Sequence, residues 1–219
     1  MRIFKPKFWS EKISLFSIIL FPFSAILIFY IFLKKKFLKV KSFEIPIICV
    51  GNIYLGGTGK TPTSILLATE LSKLGKNPVI SRKYYKNHND EYSLIKKKFK
   101  NLILNKNRTD GIKEAEISNF DSIILDDGLQ DYGIKKNLNI VCFNNSQLIG
   151  NGMVLPAGPL RENLAALKNT QIVIINGGKN EKFEKKILGI NNKLDIFYSY
   201  YKPLNIKQFT MKFNHIIFV

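Results

Sequence analysis

Cysteine and histidine are nearly absent from this 219-residue chain, with two of each. Cys49 and Cys142 lie near the ends of apolar, strand-like runs and form no CxxC pair. Disulfide frameworks and cysteine-built metal centres are therefore not expected, and both thiols read as reduced core residues of a cytoplasmic domain. His88 and His215 read as incidental. Acids are scarce as well, 16 against 34 basic residues, for a net charge of +18. Such a charge suits nucleic acid, an anionic membrane surface or a phosphorylated substrate. Part of it is compositional drift, because lysine, asparagine and isoleucine are abundant throughout. No recognition-helix pattern, zinc spacing or RNA-binding aromatic motif accompanies the charge, so nucleic acid is not an expected partner. Internal repeats are also lacking. Among the basic residues arginine is the rare one, occurring only as Arg2, Arg82, Arg108 and Arg161. Where lysine serves generic surface needs, each retained arginine is a candidate for planar contact with phosphate or carboxylate.

Charge is missing altogether from Ile13 to Leu33, 21 residues that at ~1.5 Å each suffice to cross a ~30 Å hydrocarbon core. The run is longer than the apolar part of a cleaved signal and passes from Phe29 and Tyr30 straight into Lys34, Lys35 and Lys36, which reads as a retained transmembrane helix. Pro22 is a potential kink, and an interfacial or re-entrant helix is the alternative. Lysines and Arg2 precede the run and five lysines from Lys34 to Lys41 follow it. The charge balance leans toward a cytoplasmic C-terminal side, where ATP is found. The expected organisation is a basic segment over 1–12, the anchor over 13–33, a basic linker over 34–44 and a globular domain from 45 onward. Even fully extended, Lys34 to Ile45 spans no more than ~45 Å, which holds the domain near the bilayer.

The apolar run Ile45–Val50 leads into Gly51–Thr61, which contains Gly56, Gly57, Thr58, Gly59, Lys60 and Thr61, and then into a helical pattern from Pro62. Strand, glycine-rich turn and helix in that order make a phosphate-binding loop. Backbone N–H groups and the helix N-terminus face the phosphates, Lys60 reaches their outer oxygens, and the Thr61 hydroxyl is placed for Mg²⁺. Tyr54 stands where the usual pattern has its first glycine. Further short apolar runs at 77–81, 101–105, 121–125, 138–143 and 171–175 read as parallel strands buried on both faces. The fold class is α/β: a P-loop NTPase-type, mostly parallel sheet with flanking helices, preceded by the one N-terminal transmembrane helix. The polar, lysine-rich stretch Tyr84–Lys100 reads as an irregular excursion over the active face.

Asp126 and Asp127 end the fourth strand, the position at which P-loop proteins bring a carboxylate to Mg²⁺, and Gly128, Leu129 and Gln130 follow. Adjacent acids point apart, so one can serve the metal while the other orients a neighbour. A third island, Gly150–Glu162, is a Gly/Pro-fixed loop ending in Arg161 and Glu162 beside a short helical pattern from Asn163. On its chemistry alone this pair is as consistent with a structural turn as with a site.

Together the islands resemble the tetraacyldisaccharide 4′-kinase family of lipid A biosynthesis. The matching pieces are the membrane segment, Val50–Pro62, Ser81-Arg82, Asp90-Glu91, Asn107-Arg108, Asp126–Gln130 and Asn151–Glu162. The resemblance implies transfer of the γ-phosphoryl group of ATP, with Mg²⁺, to the 4′-hydroxyl of an acylated glucosamine disaccharide 1-phosphate at the bacterial inner membrane. It implies that Asp90 is the base near the acceptor hydroxyl, with Glu91 in support, and that Lys60 and Asp127 belong to the catalytic centre. Thr61 and Asp126 fall to the metal, and Gln130, Arg82, Arg108, Arg161 and Glu162 to the cleft. Lys83-Tyr84-Tyr85 stands where the family has glycines, and Asp131 where it has histidine. The family also continues beyond Val219, through a histidine motif and half of an interlobe cleft, so the kinase domain over 45–219 is expected to be incomplete. A strand is expected at Phe213–Val219. Two readings compete: an inactive nucleotide-binding remnant, and a membrane-attached P-loop ATPase switch, which leaves the Gly150–Glu162 island unexplained.

Overall fold

The computed structural model describes residues 5–11, 14–86 and 88–200. Arg2, Lys12, Ile13, His215 and the strand expected at 213–219 lie outside the described residues. Seven strands form one parallel sheet: β1 (Ile47–Gly51), β2 (Pro78–Lys83), β3 (Leu102–Asn105), β4 (Ser122–Asp126), β5 (Leu138–Asn144), β6 (Ile172–Asn176) and β7 (Asp195–Ser199), in the order β3-β2-β4-β1-β5-β6-β7. The six expected strands are all present with limits moved by one or two residues, and β7 is an addition.

Alternation along the strands supplies both faces with apolar side chains, as a sheet buried between helices requires. Val50, Ile80, Ile124 and Ile140 pack on one face with Ala68 of α2 (Lys60–Lys73) and Ile95 of α3 (Asn89–Lys98). On the other face Val79, Ile123 and Leu125 meet Ile112 and Ala115 of α4 (Arg108–Ile117). Further along that face Val141, Phe143, Val173 and Ile175 meet Phe183 and Ile187 of α5 (Glu181–Leu188). Burial pushes Cys49 up to about 11 and Cys142 up to about 12, so neither thiol ionises near neutrality.

Two expectations change. The stretch 84–100 is not irregular, because α3 forms within it, seated by Tyr92 and Ile95 three residues apart. The apolar helix α1 spans Leu15–Phe37 and so runs through the lysines assigned to a linker. Lysine is a good helix former, and neither glycine nor proline stands between Leu33 and Leu38. Ser14 caps the N-terminus by accepting from the Ser17 amide, and Pro22 lies inside the helix.

One stripe of α1 is taken by the domain. Ser17 and Ser24, seven residues apart and so on one helical face, are both fully buried. Ser24 Oγ donates to the Val154 carbonyl at 2.8 Å and accepts from the Ala157 amide at 3.1 Å, while Asn151 Nδ2 donates to Ser17 Oγ at 3.2 Å. The remaining circumference carries Leu15, Phe16, Ile19, Phe23, Ile26 and Phe29, each more than half exposed. A contiguous apolar surface of this kind marks a membrane or partner face. The first half of the Gly150–Glu162 island is thus the seat of α1.

That seat depends on Gly158. A Cβ there would stand 2.1 Å from Asn151 Oδ1 and 2.4 Å from the Met153 carbonyl oxygen. Gly158→Ala is expected to destabilise the chain by about 1–3 kcal/mol through overpacking. Gly178→Ala, whose Cβ finds its nearest neighbour at 3.9 Å, is expected to stay within about 0.5 kcal/mol of wild type. Denaturant unfolding in detergent measures both.

Candidate active site

The register sets the site. β1 and β4 are parallel neighbours with Val50 opposite Asp126, so the phosphate loop and the acidic pair leave the sheet side by side. Gly59, at φ +87°, turns the loop into the first turn of α2. Gly56, at φ +130°, is the other left-handed position in the loop. Asn52 Nδ2 holds the loop from within, donating to the carbonyls of Tyr54 at 2.6 Å and Gly56 at 3.0 Å. Asn176 at the end of β6 donates to the Thr58 carbonyl. The Thr58 hydroxyl is buried with no hydrogen-bond partner among the described residues, a donor left over beside the loop.

Asp126 and Asp127 diverge. Asp126 is fully buried and accepts from Ser64 Oγ at 3.0 Å, Thr61 Oγ1 at 3.1 Å and Arg82 Nη1 at 2.7 Å. Asp127 has φ +54°, which β-region backbone would not give, and its carboxylate turns to Arg161 Nη1 at 2.8 and 3.0 Å and to Lys60 Nζ at 3.8 Å. Arg108, buried, donates to the carbonyl of Asp126 at 3.1 Å and of Asp127 at 2.7 Å, and its Nε pairs with Asp131. All three arginines among the described residues therefore converge on two consecutive residues. Arg82 and Arg108, expected in the cleft as ligand contacts or loop orienters, are committed to protein oxygens. The Asp131 carboxylate, which stands in place of a histidine, is likewise held by Arg108.

Arg82 also pairs with Glu91, fixing the first turn of α3 against the phosphate loop, and His88 Nδ1 lies 3.3 Å from the same carboxylate. Asp90, on that turn, is exposed and makes no hydrogen bond or ion pair among the described residues. Glu162 is buried at 2 % exposure and accepts from Gln130, Tyr132 and Lys35. Sequence reasoning missed Ser64, Tyr132, Asn176 and Lys35. Ser64 and Asn176 have a signal, since each is a polar residue in an apolar helical or strand pattern. Lys35 has none, standing among three like lysines.

The electrostatics follow from burial. Lys60 is held below the usual lysine range by desolvation, against the pull of Asp127. Burial works to raise the Asp127 pKa, but the charges of Lys60 and Arg161 outweigh it and hold the carboxyl below its ordinary value. One hydroxyl and one carboxylate, Thr61 and Asp126, suit magnesium, which keeps few protein ligands and completes its shell with water and phosphate oxygens. No cluster of three or more His, Cys, Asp or Glu residues suited to a metal occurs among the described residues. Water and the oxygens of a bound phosphate would complete any such shell.

A family model described as tetraacyldisaccharide-1-P 4′-kinase matches residues 16–214. The chain belongs to that family. The tetraacyldisaccharide 4′-kinase of Pelagibacter ubique (strain HTCC1062) is 42% identical over 221 residues, taking in 100% of this chain and 70% of the relative. That of Wigglesworthia glossinidia brevipalpis is 37% identical over 192 residues, 77% of this chain and 53% of the relative. The matches thus take in between about half and 70% of the curated relatives' length. The crystal structure of LpxK from Aquifex aeolicus in complex with ATP covers 84% of this chain and 81% of that one, with a TM-score of 0.62 and 21% identity. Hydrogenase maturation factor HypB from Archaeoglobus fulgidus covers 71% of this chain and 81% of its own, with a TM-score of 0.50 and 11% identity. Both likenesses are likenesses of fold, a parallel sheet with flanking helices.

Because the Asp127 pKa is depressed in the folded state, its ion pairs stabilise the fold above the unfolded carboxylate pKa of ~3.9 and cease to do so as pH falls through the lower folded value. Asp127→Asn is accordingly expected to be less stable than wild type at pH 7, with the gap closing on acidification below about pH 4. Denaturant unfolding of both proteins across that range checks the sign.

Proposed function

We propose that the chain carries the nucleotide half of a membrane-associated kinase that phosphorylates the 4′-hydroxyl of an acylated glucosamine disaccharide 1-phosphate with ATP. The observation that carries this reading is the juxtaposition of a phosphate loop, a divergent acidic pair and a carboxylate-bearing helix turn beside an exposed apolar helix. Membership in the tetraacyldisaccharide-1-P 4′-kinase family supplies the acceptor.

In this reading the amides of Gly56–Thr61 and Lys60 hold the β- and γ-phosphates, and the low dielectric around buried Lys60 strengthens the attraction. Thr61 and Asp126 would hold magnesium, which would supply positive charge at the phosphates. Asp127 and Arg161 fix each other and Lys60, so positive charge is pre-placed where negative charge develops. Asp90, without a partner among the described residues and on the α3 turn that Arg82 and Glu91 secure, takes the proton of the acceptor hydroxyl as the bond to phosphorus forms. Glu91 contributes by locking that turn. The exposed apolar face of α1 enters the lipid of the inner membrane while its serine stripe stays on the domain. The helix therefore lies against the domain along its length instead of standing apart on a linker, and Lys34 and Lys36 at its end meet headgroups on the cytoplasmic side while Lys35 stays on Glu162.

Membranes bearing the chain, incubated with Mg-ATP and the disaccharide acceptor, are expected to form 4′-phosphorylated product. Lys60→Ala is expected to lower the rate about 10²-fold or more by removing a phosphate donor. Asp90→Asn is expected to lower it about 10²–10⁴-fold as loss of a base, with ATP affinity unchanged. Product no greater than in the Lys60→Ala control rules out transfer by this chain.

A further inference from the structure

A continuous polar path leads from α1 to the phosphate loop, and its midpoint is the buried carboxylate of Glu162. Its Oε2 accepts from Lys35 Nζ at 2.7 Å and from the Tyr132 hydroxyl at 3.1 Å, and its Oε1 from Gln130 Nε2 at 2.9 Å. The same Gln130 nitrogen donates to the Asn52 carbonyl at 3.1 Å, at the root of the phosphate loop. Gln130 Oε1 lies 3.3 Å from Arg161 Nη1, the group that holds Asp127. Helix, carboxylate, glutamine, phosphate loop and acidic pair are thus joined without a gap.

Lys35 is the one cation in ion-pair reach of Glu162 among the described residues. Lys136, the other cation facing this pocket, donates to the Leu129 carbonyl at 3.0 Å. Tyr132 and Gln130 are neutral, so without Lys35 the buried carboxylate loses its one contacting cation and keeps only the more distant charge of Lys136, a change costlier than the pair itself is favourable. The carboxylate then turns toward solvent or toward another donor, and either movement alters the acceptor that fixes Gln130. Lys35 is itself held in place, its ammonium 4.5 Å from the Tyr132 ring centroid. Its neighbours Lys34 and Lys36 in the last turn of α1 make no ion pair among the described residues.

We propose that Lys35 is a positioning residue which, through Glu162 and Gln130, makes the seating of the membrane-facing helix a condition for the ordered geometry of the phosphate loop and Asp127. The linkage is a property of the fold, and only its consequence for phosphoryl transfer rests on the kinase reading. Hydrogen exchange on the full chain in detergent micelles tests it directly. K35M is expected to speed exchange of segments 52–61 and 126–132 by about tenfold, with strands β5 and β6 unchanged, as for a local opening. K35R, which keeps the charge, is expected to restore wild-type protection. Lys35 is partly exposed, so its truncation leaves the apolar core intact. K35M/E162Q, with no buried charge left unpaired, is expected to exchange more slowly than K35M at 126–132. Unchanged exchange in K35M, acceleration spread equally over β5 and β6, or K35R behaving as K35M overturns the proposal. Assays of 4′-phosphorylation on the same proteins report separately: an inactive wild type counts against the kinase reading and leaves the exchange result standing.

Discussion

Three guanidinium groups hold two consecutive residues at the carboxyl end of β4, and the rest of the site is arranged around that clamp. Arg108 grips the carbonyls of Asp126 and Asp127, Arg82 the first carboxylate and Arg161 the second. A residue with φ +54° and no glycine to relieve it persists only where its surroundings over-determine it. Here they do, because the left-handed turn is what sends the two carboxylates in opposite directions. One side of the clamp reaches the α3 turn through Glu91, the other reaches the Glu162 network through Gln130. The α3 turn, the phosphate loop and α1 thereby share one rigid reference.

The choice of arginine follows from the geometry. A lysine offers one point charge and could satisfy one carboxylate, whereas each of these side chains meets two or more oxygens at once. Arg82 Nη1 reaches both Thr61 and Asp126 while Nη2 pairs with Glu91. In a chain whose basic residues are otherwise lysine, rarity was a usable signal. Of the two partners open to such a fork, phosphate or carboxylate, Arg82 and Arg161 meet carboxylates of the protein itself, while Arg108 adds the carbonyls of Asp126 and Asp127.

Much of the fold was legible because its strands are buried on both faces and therefore read as uninterrupted apolar runs. β7 escaped for the opposite reason: among the described residues it is an edge strand whose Asp195 and Phe197 are exposed, so half of its pattern is surface. α3 escaped because two buried side chains, Tyr92 and Ile95, suffice to seat it, too few to show a period among three lysines and three acids or amides. The phosphate loop and acidic pair were legible as local motifs. Lys35 on Glu162 was not, because 127 residues separate the partners and nothing local distinguishes Lys35 from Lys34 or Lys36.

Tyr54, the departure from the usual phosphate-loop pattern, is explained by the neighbouring island. Its backbone has no left-handed φ, so a glycine is not required, and its ring is nearly buried. Tyr54 bridges to Leu160, the Leu55 amide donates to the Pro159 carbonyl at 2.8 Å, and the Arg161 amide donates to the Ile53 carbonyl at 2.7 Å. The outer arm of the phosphate loop is therefore paired, strand-like, with the last residues of the Gly150–Glu162 loop. That pairing aims Arg161 at Asp127 and Glu162 at Gln130, while the earlier residues of the same loop seat α1. Two motifs far apart in the chain are one structural unit, and the apolar helix α1 is built onto its back.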